Sequence, residues 1–425
     1  MTAAPVPVPT ERWPGLLVVE AVSDGARSSV WRGELAGRAV AIRRTKRSIP
    51  SLEWELQLLI DLDRAGFRVP VPMPAVDGAL HVDGWNVVTW LDGREPSTED
   101  DWRLVAAELR RIHRRFRRYG QRPGTASVLD LSVARRSVDA DLDRTPLEVI
   151  ERCLPHFDPY LEAHRSVIHG DVHAGNVRLT DSGRVGLLDW DETRVDICDL
   201  DLSNLGTAVL SGRRQAAAEA AAHAWEALNG WVVEPAYAQS RLDQLPDAVV
   251  STAEMVLNDG RILLRPPSLE DAAAQLDGED HEIQRWLTGG TAAIERVRNH
   301  ISNLRRCWGA DGLRRHFGIY PTAADAETSQ PLVGNLDINL ADLDLELNEA
   351  NLSYAVFAPW RGRGYAAMAV TLGVEYLHRI DPELTPTLKI DTANAASVGV
   401  ARAAGFVRAR TIESERGRLS IWQQP

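Results

Sequence analysis

The sequence predicts a two-domain protein of mixed α+β / α/β class, on three observations. Its 425 residues exceed what one hydrophobic core usually organises. The first half runs strand, turn, strand and helix, and then returns to short strands around polar loops. After a break near residues 246–258, a second alternation of strands and helices begins. With 44% hydrophobic and 25% charged residues the composition is that of globular material, so packed cores are expected.

Residues 16–19 are apolar, residues 23–29 (SDGARSS) are small and polar, and Val30-Trp31 resume a strand. Gly37 turns the chain into a further strand over residues 38–43. Apolar residues at 52, 56, 59 and 60 predict a helix, ended by the Pro70, Pro72 and Pro74 cluster. Residues 81–91 read as a hairpin strand running into Asp92-Gly93. From Asp101 the spacing of Val105, Leu109, Ile112 and Phe116 gives one apolar helical face. The opposite face carries Arg110, Arg111, Arg114, Arg115, Arg117 and Arg118, either as a solvated basic surface or as an anion-attracting rim. Strands return at residues 166–168, 177–180 and 185–188, and Ala-rich helices follow at residues 207–229 and 235–245.

The net charge of −12 argues against a general nucleic-acid binder, and no aromatic interleaving suits base stacking. Three scattered cysteines form neither a disulfide framework nor a zinc spacing, which points to a reducing compartment. Residues 1–9 lack a basic start and an apolar core, so a short disordered arm is expected rather than a signal peptide. No apolar run has membrane-spanning length. A cytoplasmic protein with no nucleic-acid or membrane partner is expected.

The strongest local signal is VIHGDVHAGNVRLT at residues 167–180, followed by VGLLDWD at residues 185–191. Phosphoryl transfer needs a carboxylate beside the attacking hydroxyl and oxygen ligands that hold Mg²⁺ against nucleotide phosphates. A strand, loop, strand, turn, strand path brings Asp171, Asn176 and Asp189 to one end of a small sheet. The run His169, Gly170, Asp171, His173, Asn176 and then Asp189 resembles the signature of aminoglycoside phosphotransferases and related small-molecule kinases. That resemblance implies a protein-kinase-like two-lobed fold over about residues 13–245. It implies Asp171 as catalytic base, Asn176 and Asp189 as Mg²⁺ ligands, ATP or GTP as donor, and His169 as support for the loop. Arg43, in the segment Val40-Ala41-Ile42-Arg43, stands where the family has a lysine and carries a fixed positive charge to meet the nucleotide phosphate, and Glu55 is favoured over Glu53 as its partner. Ser28 and Ser29 belong to a turn suited to covering phosphates, and the adenine hinge is expected near Thr89-Trp90-Leu91. His113 is expected to pack against the catalytic loop.

In the second half, RGRGYA at residues 361–366 lies between a strand at residues 352–357 and a helix running through Leu377. Glycines there let backbone N–H groups meet a pyrophosphate at a helix N-terminus. This spacing resembles the acetyl-CoA loop of the GNAT N-acetyltransferases, as does Asn394-Ala395-Ala396-Ser397 opening a helix that closes at Gly405-Phe406. The resemblance covers about residues 259–425 and implies a GNAT acyl-CoA N-acyltransferase fold with a mixed twisted sheet. Phe357, Arg361, Gly362, Arg363, Gly364, Tyr365, Ala366 and Asn394 are the residues expected to hold acetyl-CoA. Many members carry a glutamate general base on the strand before the loop. Asn351 occupies the matching position and cannot take a proton near neutral pH, so Glu349 is one substitute candidate, a group elsewhere in the chain is another, and loss of the amine proton without a base is the third.

The expected organisation is an arm (1–12), a kinase-like domain (13–246), a linker (247–258) and an acetyltransferase domain (259–425). The leading functional expectation is a bifunctional enzyme phosphorylating a hydroxyl and acetylating an amine of a small molecule, with an aminoglycoside-like antibiotic fitting both chemistries. One alternative is a kinase whose second domain senses acetyl-CoA, and another is a ligand-binding pseudoenzyme scaffold. Oligomeric state is left open.

Overall fold

The computed structural model describes residues 8–24, 28–206, 209–210, 212–249, 255–288, 293–322, 330–414 and 417–425. They form two compact units, neither contiguous in sequence. The first comprises Met1–Arg144, Arg165–Leu210 and Asn229–Pro235; the second comprises Thr145–His164, Ser211–Leu228 and Ala236–Pro425.

The first unit opens with a four-stranded antiparallel sheet of β1 (Leu17–Asp24), β2 (Ser28–Leu35), β3 (Arg38–Thr45) and β4 (Trp85–Thr89), in that order. Alternation along β3 buries Val40 and Ile42 against Trp13, Leu16, Trp85 and Val87, the core of this sheet. Of the expected N-terminal arm, residues 1–7 lie outside the described residues. Thr10–Arg12 form a 3₁₀ turn, and the Trp13 indole N–H donates to the Met73 carbonyl at 2.8 Å. β4 is shorter than the strand expected at residues 81–91, because Asp83 (φ 48°) and Gly84 (φ 83°) turn the chain just before it. Helix α1 (Ile49–Arg64) follows β3 and buries Leu52, Leu56, Leu59 and Leu62. One acid, Glu55, lies on the same buried stripe.

Helix α2 (Glu99–Arg115) starts with a capping box in which Thr98 accepts from Asp101 N–H and the Asp101 carboxylate accepts from Thr98 N–H. It buries Val105, Leu109, Ile112 and His113, while its arginines range from half-buried to exposed. Two small ladders then carry the polar loops. β5 (Arg165–Ile168) pairs antiparallel with β8 (Arg194–Ile197), and β6 (Val177–Leu179) pairs antiparallel with β7 (Val185–Leu187). A single helical turn, α3 (Asp199–Leu202), follows β8.

The second unit is built on an eight-stranded sheet. Its strands are β9 (Leu257–Asn258), β10 (Ile262–Arg265), β11 (Arg314–Pro321), β12 (Gly334–Asn339), β13 (Glu349–Val356), β14 (Thr385–Asp391), β15 (Val407–Ser414) and β16 (Gly417–Gln423). Their order is β9-β10-β11-β12-β13-β14-β16-β15, antiparallel except where β13 and β14 run parallel. The parallel pair is joined by helix α6 (Tyr365–Ile380), as a parallel connection requires. α4 (Ala272–Gly278) and α5 (Ile294–Gly309) precede β11, and α7 (Ala395–Ala403) follows β14. α6 covers one face: Gly373 lies against Leu336, Ile338 and Leu352, and Tyr376 meets the Phe317 ring edge-on at 5.5 Å. α5 packs beside β11 on the other face, where His300 meets His316. No helix was expected at residues 294–309, although Val297, Ile301 and Leu304 recur at helical spacing and are all buried. Residues 158–164 also pack in this unit, with Pro159 accepting from Leu313 N–H at 2.9 Å.

Candidate functional site

Asp171 and Asn176 lie on the loop between β5 and β6. A buried scaffold shapes that loop. The Asp201 carboxylate accepts from His169 N–H and Gly170 N–H, each at 2.8 Å, and from His113 Nε2 at 2.9 Å. Burial opposes charge on both partners of the His113–Asp201 pair. For Asp201, His113 and the loop N–H groups more than offset it and hold the carboxyl low. For His113, the neighbouring Cys198 and Asp201 raise the imidazole to about 10. His169 uses both ring nitrogens: Nε2–H donates to Leu188 O at 2.6 Å and Nδ1 accepts from Asp171 N–H at 3.3 Å. Gly170 has φ 89°, and a Cβ there would meet Glu192 O at 2.6 Å, so only glycine fits this turn.

On that frame the Asn176 amide N–H₂ donates to the backbone oxygen (3.0 Å) and carboxylate (3.1 Å) of Asp171. The Asp171 side chain remains 43% exposed, open to an incoming group, with His173 Nε2 3.7 Å away. Register places Asp189 nearby: β6 and β7 pair up to Val177↔Leu187, and Leu188 N–H donates to Asn176 O at 2.8 Å. Asp189 itself has φ 56°, an unfavourable left-handed conformation for a side-chain-bearing residue.

Arg43 on β3 bonds Glu55 on α1 at 2.8 Å and stands 3.6 Å from Asp189. Burial works against its charge, but Glu55, Asp189 and Asp191 keep the guanidinium ionised. Glu53 is exposed beside His81 at 3.4 Å, so Glu55 is the acid brought to Arg43. The residue that sequence reasoning missed is Arg122. Fully buried, it donates to Glu55 (2.9 Å), to Ser51 Oγ (2.7 Å) and to the carbonyls of Trp190, Asp191 and Thr193 (3.3, 2.8 and 3.2 Å). It ties α1 to the segment after Asp189. No local motif marks it, because its partners are 67 to 71 residues away in sequence. Arg47 also bridges to Asp139 and Asp191.

Of the phosphate-covering turn, residues 25–27 lie outside the described residues, as does the side chain of Ser28; Ser29 is half-buried on β2. At the expected hinge, Trp90 N–H donates to Ala39 O at 3.1 Å. Among the described residues no cluster of three or more His, Cys, Asp or Glu side chains could hold a metal ion. A Mg²⁺ site does not need one, since Mg²⁺ keeps several waters and takes one or two protein oxygens plus phosphate. The half-exposed Asp189 carboxylate and the Asn176 amide, whose nitrogen is spent on Asp171, supply a donor set that fits.

In the second unit, β13 and β14 pair only at Glu349↔Thr385, Ala350↔Pro386 and Asn351↔Thr387, and then diverge. The diverging edge of β13 leads to the loop Arg361–Gly364 and the N-terminus of α6. Gly362 (φ 78°) and Gly364 (φ 84°) take the left-handed conformation that glycine allows, and Gly364 caps the N-terminus of α6. Arg361 donates to Val356 O at 2.9 Å and pairs with Asp280, while Arg363 lies over the Trp360 ring. Tyr365 opens α6 and is buried, Ala366 follows it in the first turn, and Phe357 packs with Tyr320 and Leu332. The Asn394 side chain caps α7, accepting from Ser397 N–H at 3.0 Å.

Glu349 is 5% exposed, and its oxygens are occupied. Arg410 donates to both (2.6 and 2.5 Å), Gln423 to one (2.6 Å) and Glu346 N–H to the other (2.9 Å). Burial opposes ionisation, but Arg410 leads the contacts that hold the carboxyl below its ordinary value. That environment makes Glu349 a weak proton acceptor.

The first unit thus holds a carboxylate on a polar loop, the Asn176 and Asp189 side chains at the end of a hairpin, and a buried Arg–Glu pair linking strand to helix. This is the apparatus of a kinase-type phosphotransferase. The model of the phosphotransferase enzyme family matches residues 18–241, and the chain belongs to that family. The model of the acetyltransferase (GNAT) domain matches residues 261–407, so the chain is a fused phosphotransferase and acetyltransferase. Similar solved structures include a GNAT-family acetyltransferase from Bacillus anthracis, 17% identical, covering 40% of this chain and 97% of its own (TM-score 0.32). Another is the ribosomal-protein-S5-alanine acetyltransferase from Vibrio fischeri, 12% identical, covering 40% and 96% (TM-score 0.34). No curated protein matches the chain. No helix among the described residues is long and apolar enough to cross a membrane.

Proposed function

We propose that the chain is a bifunctional cytoplasmic enzyme that modifies a polyfunctional small molecule. Residues 13–246 would phosphorylate a hydroxyl from ATP or GTP, and residues 259–425 would acetylate an amine from acetyl-CoA. An amine-bearing, aminoglycoside-like substrate supplies both acceptors, and antibiotic resistance would follow from its modification. The observation that supports the first activity best is the Asp171–Asn176 contact beside Asp189.

In this reading the Asp171 carboxylate accepts the proton of the attacking hydroxyl. Asn176 orients that carboxylate and, with Asp189, would hold Mg²⁺. The bound Mg²⁺ supplies charge neutralisation at the transferring phosphoryl group. Arg43 fixes the position of Asp189 relative to α1 through Glu55. Asp171→Ala is expected to lower phosphoryl transfer to an aminoglycoside panel by at least about 100-fold, the scale of a lost general base. Transfer by Asp171→Ala at the wild-type rate refutes the assignment.

A second reading of residues 259–425 is a domain that binds acetyl-CoA without turnover. The occupied carboxylate of Glu349 and the neutral amide of Asn351 favour it. Acetyl-CoA binding by calorimetry, paired with transfer assays on the same amines, separates the two.

A further inference from the structure

The face of the second unit's sheet that α5 covers carries a polar stripe. Facing is set by alternation: Phe317, Leu336, Ile338 and Leu352 lie under α6, so their neighbours His316, Asn335, Asp337, Asn351 and Ser353 lie on the α5 side. His316, Asp337 and Ser353 are directly opposite one another across β11, β12 and β13. Ser353 is two residues past Asn351, the last residue at which β13 still pairs with β14. The stripe therefore runs from beneath α5 to the mouth of the opening between those strands.

Three buried atoms on this stripe have no hydrogen-bond partner among the described residues: His316 Nε2, Asn335 Oδ1 and Asn351 Oδ1. His316 Nδ1 faces the Asp337 carboxylate at 3.6 Å, so the proton of the neutral ring belongs on Nδ1 and Nε2 keeps its lone pair. All three orphans are then acceptors. Leaving one buried acceptor unmet is costly, and three of one kind on one face of the sheet match a ligand rich in N–H or O–H donors.

The surroundings keep His316 neutral. Burial is the largest influence and lowers its affinity for a proton; Asp337 opposes this, while His300 on α5 and Arg314 on its own strand reinforce it. Asp337 is already committed to Arg314, which donates to both of its oxygens at 2.7 to 3.1 Å. His300 in turn contacts Glu162 at 3.0 Å.

We propose that this stripe is the amine site of the acetyltransferase half. Nε2 of His316 is the terminal proton acceptor, and Asn335 and Asn351 receive further donors of a polyfunctional primary amine. His316 lies two strand spacings, about 10 Å, from β13, so it reaches the attacking nitrogen through bridging water rather than directly. The substrate ammonium loses one proton to His316 through that water. The free amine then attacks the acetyl carbonyl, forming a C–N bond as the C–S bond breaks. The leaving thiolate takes the second N–H proton to become coenzyme A, and His316 returns its proton to solvent. His316 fills the role that neither Asn351 nor the ion-paired Glu349 can serve.

The inference rests on the acetyltransferase reading, and the test separates the two. Full-length protein is assayed with acetyl-CoA and three amines: a 2-deoxystreptamine aminoglycoside, glucosamine and spermidine. Wild type is expected to acetylate at least one, with kcat rising through a pKa below 6.5 and flat above it. His316→Gln is expected to bind acetyl-CoA with unchanged affinity and lose about 100-fold in kcat at pH 7. Its rate should climb about tenfold per pH unit toward the amine's own pKa. Long-range ¹H–¹⁵N spectra of wild type are expected to show His316 as the Nδ1–H tautomer, with the Nε2 signal moving when amine is added. That measurement does not depend on the variant folding. Absence of acetyl-CoA binding by wild type would refute both readings. Binding without transfer would refute the acetyltransferase reading and the inference with it, whereas an Nε2–H tautomer, or His316→Gln within threefold of wild type with the same pH profile, would overturn the inference alone.

Discussion

Arg122 makes the sharpest stability prediction in the first unit. Replacing it with Met keeps the volume and aliphatic contact but removes every donor. Five groups lose a partner: the carbonyls of Trp190, Asp191 and Thr193, Ser51 Oγ and one oxygen of Glu55. Breaking a buried ion pair by deleting one partner costs about 3–5 kcal/mol, and each stranded buried acceptor about 1–3 kcal/mol. Arg43 still bonds the other Glu55 oxygen, so the charge is not abandoned; the ion-pair part then sits at its lower end, about 3 kcal/mol, and the stranded acceptors make that the minimum expected. Because the chain has two compact units, a single global unfolding free energy is a poor readout. Amide hydrogen exchange over α1 and residues 190–195 is the appropriate assay, and about 3 kcal/mol corresponds to roughly a 150-fold loss of protection there. Arg122→Lys keeps the charge but not the five-donor fork, and should fall between the two. If Arg122→Met exchanges within threefold of wild type in both segments, α1 is not held by this side chain and the reasoning fails.

The buried His113–Asp201 pair carries a pH signature. His113 is raised to about 10 from its ordinary 6.5, so its contribution is complete below about pH 6.5 and is lost as pH rises toward 10. Exchange protection of the His169 and Gly170 amides, corrected for the intrinsic rate at each pH, should therefore fall more in wild type than in His113→Gln between pH 7 and pH 9.5; equal slopes would show that the pair does not titrate in that window. In the second unit, Gly364→Ala places a side chain at φ 84° and should cost about 1–2 kcal/mol at the start of α6. Acetyl-CoA binding by calorimetry should weaken by about tenfold as those N–H groups shift; unchanged affinity would argue against this loop as the pyrophosphate contact.

The fold was legible wherever local chemistry repeats. Leu52, Leu56 and Leu59 announced α1 by spacing, and the residue run from His169 to Asp189 announced the polar loop and hairpin. Legibility failed in two ways. The first was local pattern overlooked: Val297, Ile301 and Leu304 carry the signal for α5 between a polar stretch and the β11 strand. The second was partnership at a distance. Glu349 reads as a free strand acid in sequence, and only its approach to Arg410, 61 residues later, makes it an ion-pair partner. The polar stripe is of the same kind, because His316, Asp337 and Ser353 lie on three strands and share nothing until register aligns them.

The sequence by itself determined that this chain joins a phosphotransferase to an acetyltransferase, because both carry their chemistry in short runs. A catalytic loop and a glycine turn need particular residues a few positions apart, whatever the rest of the chain does. Tertiary structure alone decided which acid meets Arg43, what anchors α1, and that Glu349 is spent on an ion pair while His316 Nε2 is buried without a partner among the described residues. Those outcomes depend on which polar groups are buried together. Burial multiplies the cost of an unmet partner, and a linear sequence does not record who is buried beside whom.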